Sequence, residues 1–315
     1  MRISVALCTS DDASTLPAFL ESLRAQTHRP DELVIRDDRS VDDSVSIARA
    51  FEAPFPVRVE VNERRLGPGV NHGIVLGDCT GDAIAIASSS DVWMPQRIER
   101  LVVAFASDTG YVFSNATLDG TTLWDAAGFN AERREAARRG ELLPLVIAHP
   151  FIPASTTMIR TDLRGTVSPV PEHVSFDAWL ATLALLTGPY AMVDEPLMRT
   201  GVSDIAPPAA VMPDESSVER RRTSVRAARR KLSVRDADLH RQGRRAQAAF
   251  FQSVIERLGG TPVAGLADRA AHLRLRGTLP DRRTKRIALV LRELRTGRYA
   301  RYSSGALSAL QDLVY

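Results

Sequence analysis

The sequence predicts an α/β fold in which a doubly wound, mostly parallel sheet is flanked by helices and followed by a helical C-terminal extension. Segments of strand length occupy residues 2–9, 32–38, 57–62 and 83–87. The first of them alternates little, as expected for a parallel strand buried on both faces. A helical segment separates each of these strand segments from the next, and strand–helix repeats of this kind form parallel sheets. Beyond about residue 207 the pattern indicates helices only.

The helical segments carry their own start signals. The first, 17–25, follows Ser14 and Thr15, either of which can cap a helix, and it opens with a proline. The second covers 45–51 after an acidic, serine-containing loop, and a short third helix at 71–76 follows a glycine- and proline-containing turn.

Downstream segments complete the predicted sheet and the extension. Residues 111–118 form a strand, and residues 131–146 are helical by composition, with their charges on one face. The segment 207–213 has the proline content of a linker and separates a domain at 1–206 from an extension at 207–315. The helices of the extension are predicted at 217–258, with a break near Gly243, at 263–276 and at 281–296.

The composition is that of an ordinary globular protein of 315 residues, 44% hydrophobic and 25% charged. The N-terminus lacks the regions of a signal peptide, and no apolar run reaches membrane-spanning length. The two cysteines, Cys8 and Cys79, fall in segments predicted to be buried rather than in a disulfide framework. These features predict a cytoplasmic protein.

The net charge of +3 hides an asymmetry along the chain. Residues 1–214 contain 18 Lys and Arg against 29 Asp and Glu, a balance of −11, whereas residues 215–315 contain 23 against 9, a balance of +14. The split predicts an acidic body and a basic tail that faces an anionic partner. An anionic membrane surface suits the arginine–tyrosine segment 295–305, and the acidic body of the same chain is the alternative. Nucleic acid is disfavoured, because base-stacking aromatics are not interleaved.

The stretch 82–95 has the strongest functional signal. Its apolar strand ends in Ser88, Ser90 and Asp91, followed by Trp93 and a proline. Short polar side chains at the carboxyl end of a buried strand, ahead of a helix, are typical of a ligand site in an open α/β sheet.

Four blocks of the sequence resemble the successive motifs of the family-2 glycosyltransferases. Between residues 3 and 101 they read ISVALCT, LESLRAQTHRPDELVIRDDRSVDDS, NERRLGPGVNHGI and GDAIAI with DVWMPQRIERL. The chain is most similar to the rhamnosyltransferase-like members that build bacterial cell-surface polysaccharide, and the resemblance extends to about residue 204. It implies a GT-A fold and transfer of a sugar from a nucleotide-diphosphate donor.

At the nucleotide end, the resemblance implies that Asp38 reads the base, with Asp37 beside it and Thr9 lining the same pocket. A pyrimidine N3–H needs a hydrogen-bond acceptor, and a carboxylate at the carboxyl end of a strand supplies one. Paired acids after a strand also serve as ordinary loop residues or helix caps, and the residues alone leave that alternative open.

The loop after the third strand could approach ribose or phosphate. Gly67, Gly69 and Asn71 fall in a turn where the backbone can come close to a ligand, and Arg65 could offer its guanidinium to phosphate oxygens. An ordinary strand–helix turn explains the same residues equally well.

The metal-binding pattern of the family, Asp-x-Asp-Asp-x-Trp-x-Pro, is changed in this chain. Ser88 and Ser90 replace its first two acids, and Asp91 and Trp93 remain. Serine hydroxyls are poor, neutral ligands for a hard cation. The sequence therefore predicts that no metal is tightly bound, with Mg²⁺ or Mn²⁺ held weakly through Asp91 and the donor diphosphate as the alternative.

A second family motif, Tyr-Arg-x-His, is changed as well. It corresponds to residues 198–201, which keep Arg199 but end in Gly201 where the family has a metal-binding histidine. Arg199 could neutralise the leaving diphosphate by a bidentate contact, with Ser88 and Ser90 as neutral hydrogen-bond donors.

Asp177, at the start of a predicted helix, matches the base position of the family. Inverting transfer needs a carboxylate that deprotonates the acceptor hydroxyl, and Trp179 would stack on a sugar or pack the helix. The alternative is that Asp177 is a first-turn acid favoured by the helix dipole and Trp179 is a core residue. His149 and His173 are further candidates for the acceptor pocket.

The sequence thus predicts an inverting glycosyltransferase that uses a UDP- or dTDP-type donor and a glycan or lipid-linked acceptor of cell-surface polysaccharide synthesis. The alternative is a non-catalytic protein of the same fold that binds a nucleotide sugar or serves as a scaffold.

Overall fold

The structure, a computed structural model, describes residues 1–105, 108–148, 150–172, 174–201, 234–260, 263, 265–303 and 305–314. The chain divides into two compact units, Met1–Ile205 and Ala206–Tyr315. The predicted linker at 207–213 and the predicted helical residues 217–233 lie outside the described residues.

The described part of the first unit is built on a nine-stranded sheet. Its strands are β1 (Ile3–Thr9), β2 (Glu32–Asp37), β3 (Val57–Val61), β4 (Ala83–Ser88), β5 (Val92–Trp93), β6 (Tyr111–Leu118), β7 (Thr121–Thr122), β8 (Thr157–Arg160) and β9 (Tyr190–Arg199).

The strand order is β3–β2–β1–β4–β8–β6–β9–β5, with β7 paired to β6. Strands β3, β2, β1 and β4 are mutually parallel. Strand β8 is antiparallel to both β4 and β6, so β6 runs in the direction of the first four, and β9 is parallel to β6. Six of the nine strands therefore share one direction, which confirms the predicted doubly wound, mostly parallel sheet.

Burial follows position in the sheet. Strands β1 and β4 pair on both sides and are buried along almost their whole length. The edge strand β3 is half-buried or exposed throughout, because it has a neighbour on one side only. The near-continuous apolar runs that predicted buried parallel strands are therefore those of the sheet centre.

The helices of the first unit are α1 (Leu16–Arg24), α2 (Ser44–Ala50), α3 (Pro68–Asp78), α4 (Arg97–Ala104), α5 (Leu123–Ala126), α6 (Ala131–Arg138), α7 (Leu142–Ala148), α8 (Arg164–Val167) and α9 (Phe176–Thr187). Short 3₁₀ turns lie at Ala154–Thr156 and Thr161–Leu163.

Two helix predictions for the first unit need correction. The third helix is longer than predicted, because proline begins it at residue 68 rather than 71. The predicted helix at 131–146 is two helices, α6 and α7, separated at Gly140, whose φ of +90° lies in a region open to glycine and ends a helix.

The described part of the second unit is helical, with α10 (Val234–Arg257), α11 (Leu266–Gly277), α12 (Arg283–Arg295), α13 (Arg298–Tyr302) and α14 (Ala306–Val314). The predicted break near Gly243 is wrong, because α10 continues through it. A glycine costs a helix about 1 kcal/mol relative to alanine. The packing of α10 on α11 can offset that cost, because tertiary contacts supply most helical stability in proteins.

Charged groups are buried inside the second unit in paired form. Asp312 is 4% exposed and accepts hydrogen bonds from Arg276 Nε, from Arg244 Nη1 at 2.7 Å and from the Tyr299 hydroxyl at 2.7 Å. Such a network avoids the cost of an isolated buried charge.

Among the described residues, no helix is long and apolar enough to cross a membrane.

Candidate active site

Three of the predicted site residues lie side by side at the carboxyl edge of the sheet. The register of β1 pairs Thr9 with Asp37 of β2, and Cys8 with Ser88 of β4. The carboxyl ends of parallel neighbouring strands meet at one edge, where open α/β sheets bind their ligands. The loops that follow these strands therefore surround one cleft.

Asp37 shapes the loop that follows β2. Its side chain is completely buried, and its carboxylate accepts hydrogen bonds from Thr9 Oγ1 at 2.8 Å, from the Ser40 amide at 2.8 Å and from Ser40 Oγ at 2.6 Å. Thr9 is itself only 2% exposed. Both side chains, predicted to bind substrate, are occupied in fixing the backbone at the cleft edge.

Asp38 organises the loop between β3 and α3. One carboxylate oxygen accepts from Asn62 Nδ2 at 2.9 Å and from the Leu66 amide at 2.8 Å, and the other accepts from the Gly67 amide at 2.9 Å. Gly67 has a φ of +83°, a conformation that favours glycine. These three donors hold the Asp38 carboxylate, which is 4% exposed, in a fixed orientation.

Asn62 is a site residue that the sequence reasoning missed. It is 5% exposed, and its amide nitrogen donates to both Asp38 Oδ1 and Asn71 Oδ1, while its oxygen accepts from Arg36 Nε at 2.7 Å. Asn71, predicted to touch substrate, is 1% exposed and donates to the Arg36 carbonyl at 2.9 Å. Asn71 therefore acts on the site through Asn62, by fixing the carboxylate of Asp38.

Arg65 reaches across the cleft edge to the loop after β1. Its guanidinium forms an ion pair with Asp11, and that hydrogen-bonded carboxylate raises the pKa of Arg65. Asp11 has a φ of +60° and accepts from the Val41 amide at 2.7 Å. Arg65 is half-exposed and links the loop after β3 to the loop after β1.

The turn after β4 and the end of β9 meet directly. Ser88 Oγ and Ser90 Oγ are 3.0 Å apart. Gly201 lies against Ser90 so closely that a Cβ at position 201 would stand 2.7 Å from both the Cβ and the carbonyl oxygen of Ser90. The two altered family motifs, more than a hundred residues apart in the sequence, therefore form a single place in the structure.

Arg97 is the second site residue that the sequence reasoning missed. It is completely buried and donates to Ser114 Oγ at 3.0 Å and to the Ser155 carbonyl at 2.7 Å. Burial lowers the pKa of Arg97 to about 10, and the negative charge of Asp91 opposes that shift. The guanidinium is therefore charged at neutral pH, and it lies within electrostatic range of Asp91, whose carboxylate is 1% exposed.

Trp93 forms the floor under this buried charge. The Arg97 guanidinium lies 4.6 Å from the centre of the Trp93 ring, and Phe19 meets the same indole edge-on at 5.4 Å. Trp93 is 2% exposed. This packing position agrees with a supporting role for Trp93, and a contact between Trp93 and substrate stays a prediction.

Asp177 stands in the first turn of α9, as predicted. Its Oδ1 accepts a hydrogen bond from the Ala154 amide at 2.8 Å. In the same 3₁₀ turn, the Ser155 carbonyl accepts a hydrogen bond from Arg97. One short segment thus connects the candidate base with the buried arginine behind the turn after β4.

Trp179 does not reach the cleft. It is completely buried, and its indole N–H donates to the Val167 carbonyl at 2.7 Å. The core alternative is therefore the correct one, because helix α9 is apolar on nearly every side and packs its residues inward. His149 and His173 lie outside the described residues.

Arg199 is exposed at the last position of β9. Its backbone is in register with Val92 of β5, one residue after Asp91. The Thr200 amide donates to the Thr117 carbonyl at 3.0 Å. This pairing holds the strand end, and with it Gly201, beside the turn after β4.

The donor set at this place does not fit a tightly bound divalent metal. Such an ion prefers several oxygen ligands, mostly carboxylates, whereas Ser88, Ser90 and Gly201 stand where the family motifs have metal ligands, and Asp91 is the acid that those motifs keep. In the part of the chain that the structure describes, no three His, Cys, Asp or Glu side chains are grouped to hold a metal.

The sheet order and the polar strand ends define an α/β domain of the GT-A type. Residues 4–149 match the family model described as glycosyl transferase family 2. All of the matched residues belong to the first unit, so the similarity to glycosyl transferase family 2 is a similarity of that unit. Solved structures agree on the fold: TarS 1–349 of S. aureus has a TM-score of 0.54 and 16% identity, over 99% of this chain and 89% of that one.

Several curated proteins are similar to part of this chain. An uncharacterized glycosyltransferase, alr2836, from Nostoc sp. is 26% identical over 183 residues, 57% of this chain and 56% of that protein. The succinoglycan biosynthesis protein ExoO of Rhizobium meliloti is 29% identical over 171 residues, 54% and 47% of the two chains. The amylovoran biosynthesis glycosyltransferase AmsE of Erwinia amylovora is 27% identical over 117 residues, 37% and 44%. The chain spans about half the length of these relatives.

Proposed function

We propose that the protein is an inverting glycosyltransferase that moves a sugar from a nucleotide-diphosphate donor to a glycan or lipid-linked acceptor in cell-surface polysaccharide synthesis. The match of residues 4–149 to the family model supports sugar transfer. The names of two relatives, which refer to succinoglycan and amylovoran biosynthesis, support the polysaccharide role. Two of the similar TarS structures contain UDP and UDP-GlcNAc, which supports a nucleotide-sugar donor.

The observation that carries the proposal is the convergence of separate chain segments at one sheet edge. The loop after β2 supplies Asp38, the turn after β4 supplies Ser88–Asp91, and the end of β9 brings Arg199 and Gly201 to the same turn. A nucleotide sugar has a base, a charged diphosphate and a sugar in series, and this edge has polar groups suited to each.

Asp38 recognises the base of the donor. Its carboxylate is fixed by three hydrogen bonds and keeps an acceptor position for a pyrimidine N3–H, as in a UDP- or dTDP-type donor. Arg65, beside the same loops, can exchange Asp11 for a phosphate oxygen, because a guanidinium binds carboxylate and phosphate in the same geometry.

The diphosphate gains negative charge as the sugar leaves, and this chain offers cations and hydroxyls for it. Arg199 is exposed at the strand end beside the turn, and the Ser88 and Ser90 hydroxyls are neutral where carboxylates would repel a bare diphosphate. Electrostatic stabilisation of a leaving group by fixed donors is a major source of rate enhancement. A metal that arrives with the donor would meet only Asp91 as a charged ligand.

The acceptor is activated by Asp177. Its carboxylate takes the proton of the acceptor hydroxyl while that oxygen forms a bond to the anomeric carbon. The bond from the anomeric carbon to the diphosphate oxygen breaks at the same time, and the electron pair leaves with the nucleoside diphosphate. The hydrogen bond from the Ala154 amide fixes the direction of the carboxylate.

The donor class is tested by thermal unfolding of the protein with UDP, dTDP and GDP, each with EDTA and with Mn²⁺, followed by donor hydrolysis. The proposal expects a rise in melting temperature with a pyrimidine diphosphate and release of that diphosphate from its sugar conjugates. Binding without any release would instead favour the non-catalytic alternative.

The base is tested by the Asp177→Asn variant. We expect folding and donor binding to be preserved, because the amide oxygen still accepts from the Ala154 amide. Turnover should fall by at least ~100-fold, the usual loss for general base catalysis. A variant that turns over at the wild-type rate would exclude Asp177 as the base.

A further inference from the structure

Helix α12 carries two large aliphatic side chains that the core of the second unit does not use. Ile287 and Leu291 lie one helical turn apart and are 43% and 46% exposed. The core is made from the opposite side of the helix, through Val290. Its other buried members are Leu279, Tyr299 and Ala309, and the leucines at 275, 289, 294 and 313 pack against them. The side chains of Ile287 and Leu291 are therefore not part of this hydrophobic core.

The same exposed side of α12 carries positive charge. Lys285, Arg292 and Arg295 are all exposed, and an α-helix places residues three and four apart on one side. The only acid in this helix is Glu293, which is 3% exposed and hydrogen-bonded to His272 at 2.9 Å. Among its exposed residues, α12 thus combines aliphatic side chains with cations and offers no carboxylate.

Other acids of the described part of this unit are also engaged with arginines. Asp312 is buried by Arg276 and Arg244. Asp281 is 89% exposed but precedes the helix and pairs with Arg241 at 2.9 Å. The exposed surface of α12 is therefore positively charged, and a positive surface is complementary to an anionic partner.

We propose that the α12 face, defined as Lys285, Ile287, Ala288, Leu291, Arg292 and Arg295, docks on an anionic lipid bilayer. A helix that lies in the interface plane inserts aliphatic side chains between lipids and places its cations among anionic headgroups. The phosphates of a nucleic acid would attract the same cations, but they would leave Ile287 and Leu291 exposed. The pairing of both chemistries on one helix is what selects the bilayer.

The proposal stands on the second unit alone and does not depend on catalysis by the first. With the proposed function it has a consequence, because a lipid-linked acceptor is concentrated at the same surface. The bilayer contact would then bring the transferase unit to its acceptor.

The experiment is co-sedimentation of the full chain with vesicles of phosphatidylcholine alone and of phosphatidylcholine mixed with phosphatidylglycerol. The proposal expects binding to the mixed vesicles only. The Lys285→Gln/Arg292→Gln variant should bind at least ~10-fold more weakly, because each cation near an anionic surface contributes about a five-fold factor. The Ile287→Ser/Leu291→Ser variant should also lose binding, whereas a phosphate-only contact would leave this variant unchanged.

Matched controls lie on exposed positions of the first unit. Val103→Ser removes a 77% exposed aliphatic side chain, and Arg29→Gln removes an exposed cation, and both should bind as the wild type does. Equal binding by the wild type and both α12 variants would overturn the proposal and assign attraction to other arginines. Binding of duplex RNA or DNA in preference to the vesicles would overturn it as well.

Hydrogen exchange on the wild-type chain gives a readout that needs no variant. Addition of the mixed vesicles should slow exchange of amides within residues 283–295. Vesicle binding with no protection there would place the contact elsewhere and refute the α12 face.

Discussion

Replacement of Arg97 by methionine tests the buried electrostatic contact behind the candidate site. Methionine retains the unbranched apolar stem but removes the guanidinium, its hydrogen bonds to Ser114 Oγ and the Ser155 carbonyl, and a positive charge within electrostatic range of Asp91. A buried polar group left without its hydrogen-bond partner typically costs about 1–3 kcal/mol. We expect a loss of that size in the free energy of unfolding of the first unit.

The assay is urea unfolding followed by tryptophan fluorescence. All three tryptophans, Trp93, Trp124 and Trp179, belong to the first unit, so the signal reports that unit. The matched control is Arg100→Met on the same helix. Arg100 is half-exposed and pairs with a half-exposed Glu195 at 3.4 Å, so its loss should cost no more than about 0.5 kcal/mol.

A double-mutant cycle with Asp91→Asn separates the charge pair from general packing. If Arg97 and Asp91 interact, the double variant should lose less stability than the sum of the single variants, by about 1–3 kcal/mol. A loss for Arg97→Met no larger than for Arg100→Met would refute the reasoning. Strict additivity in the cycle would refute the pairing.

Two further predictions concern the cleft itself. In the Asp38→Asn variant an amide N–H₂ points at backbone amides that donate to the carboxylate of the wild type. UDP should therefore bind at least ~10-fold more weakly, as expected for loss of a hydrogen bond to a charged group. Equal affinity of the two proteins in isothermal titration would contradict this. Gly201→Ala places a Cβ 2.7 Å from the carbonyl oxygen of Ser90 and should destabilise the first unit by about 1–3 kcal/mol. Gly188→Ala is its control in the same unfolding assay, because a Cβ at position 188 would meet nothing within 4 Å. A similar loss of unfolding free energy in both variants would show that contact with Ser90 is not the cause.

The edge residues could be predicted because strand direction alone brings them together. Asp37, Asp38 and Ser88 each stand at the end of an apolar run, and parallel neighbouring strands end at the same edge. The sequence could not show which way each side chain turns. Asp37 turns toward Thr9 and Ser40, whereas Asp38 turns toward Asn62 and the amides of Leu66 and Gly67.

Arg97 and Asn62 were missed for different physical reasons. In the sequence PQRIER, Arg97 has the pattern of an exposed helix start, and only the tertiary fold reveals that Trp93, Ser114 and Ser155 enclose it. Asn62 ends an edge strand, a position usually exposed, and the turn to α3 covers it. Neither burial has a periodic signal in the sequence.

Trp179 shows how the structure decides between two readings that the sequence left open. The motif that contains Asp177 implied an aromatic contact with sugar, but the helix is apolar nearly all round, and that pattern itself indicates burial. The contact of Gly201 with Ser90 was foreseeable only through the family resemblance, since no local pattern connects positions so far apart in the chain.

We propose that the protein transfers sugar at a site without a tightly bound metal. Steady-state release of nucleoside diphosphate from its sugar donor tests this most directly, with the wild-type chain in EDTA and in saturating Mn²⁺. With one carboxylate left at the turn after β4, we predict that turnover in EDTA stays within ~10-fold of turnover with metal, because the carboxylate ligands that a hard divalent cation prefers are missing. Turnover that appears only with a strong, saturable dependence on Mn²⁺ would contradict the account of the diphosphate site. Turnover absent under both conditions, with donor still bound, would contradict catalysis itself.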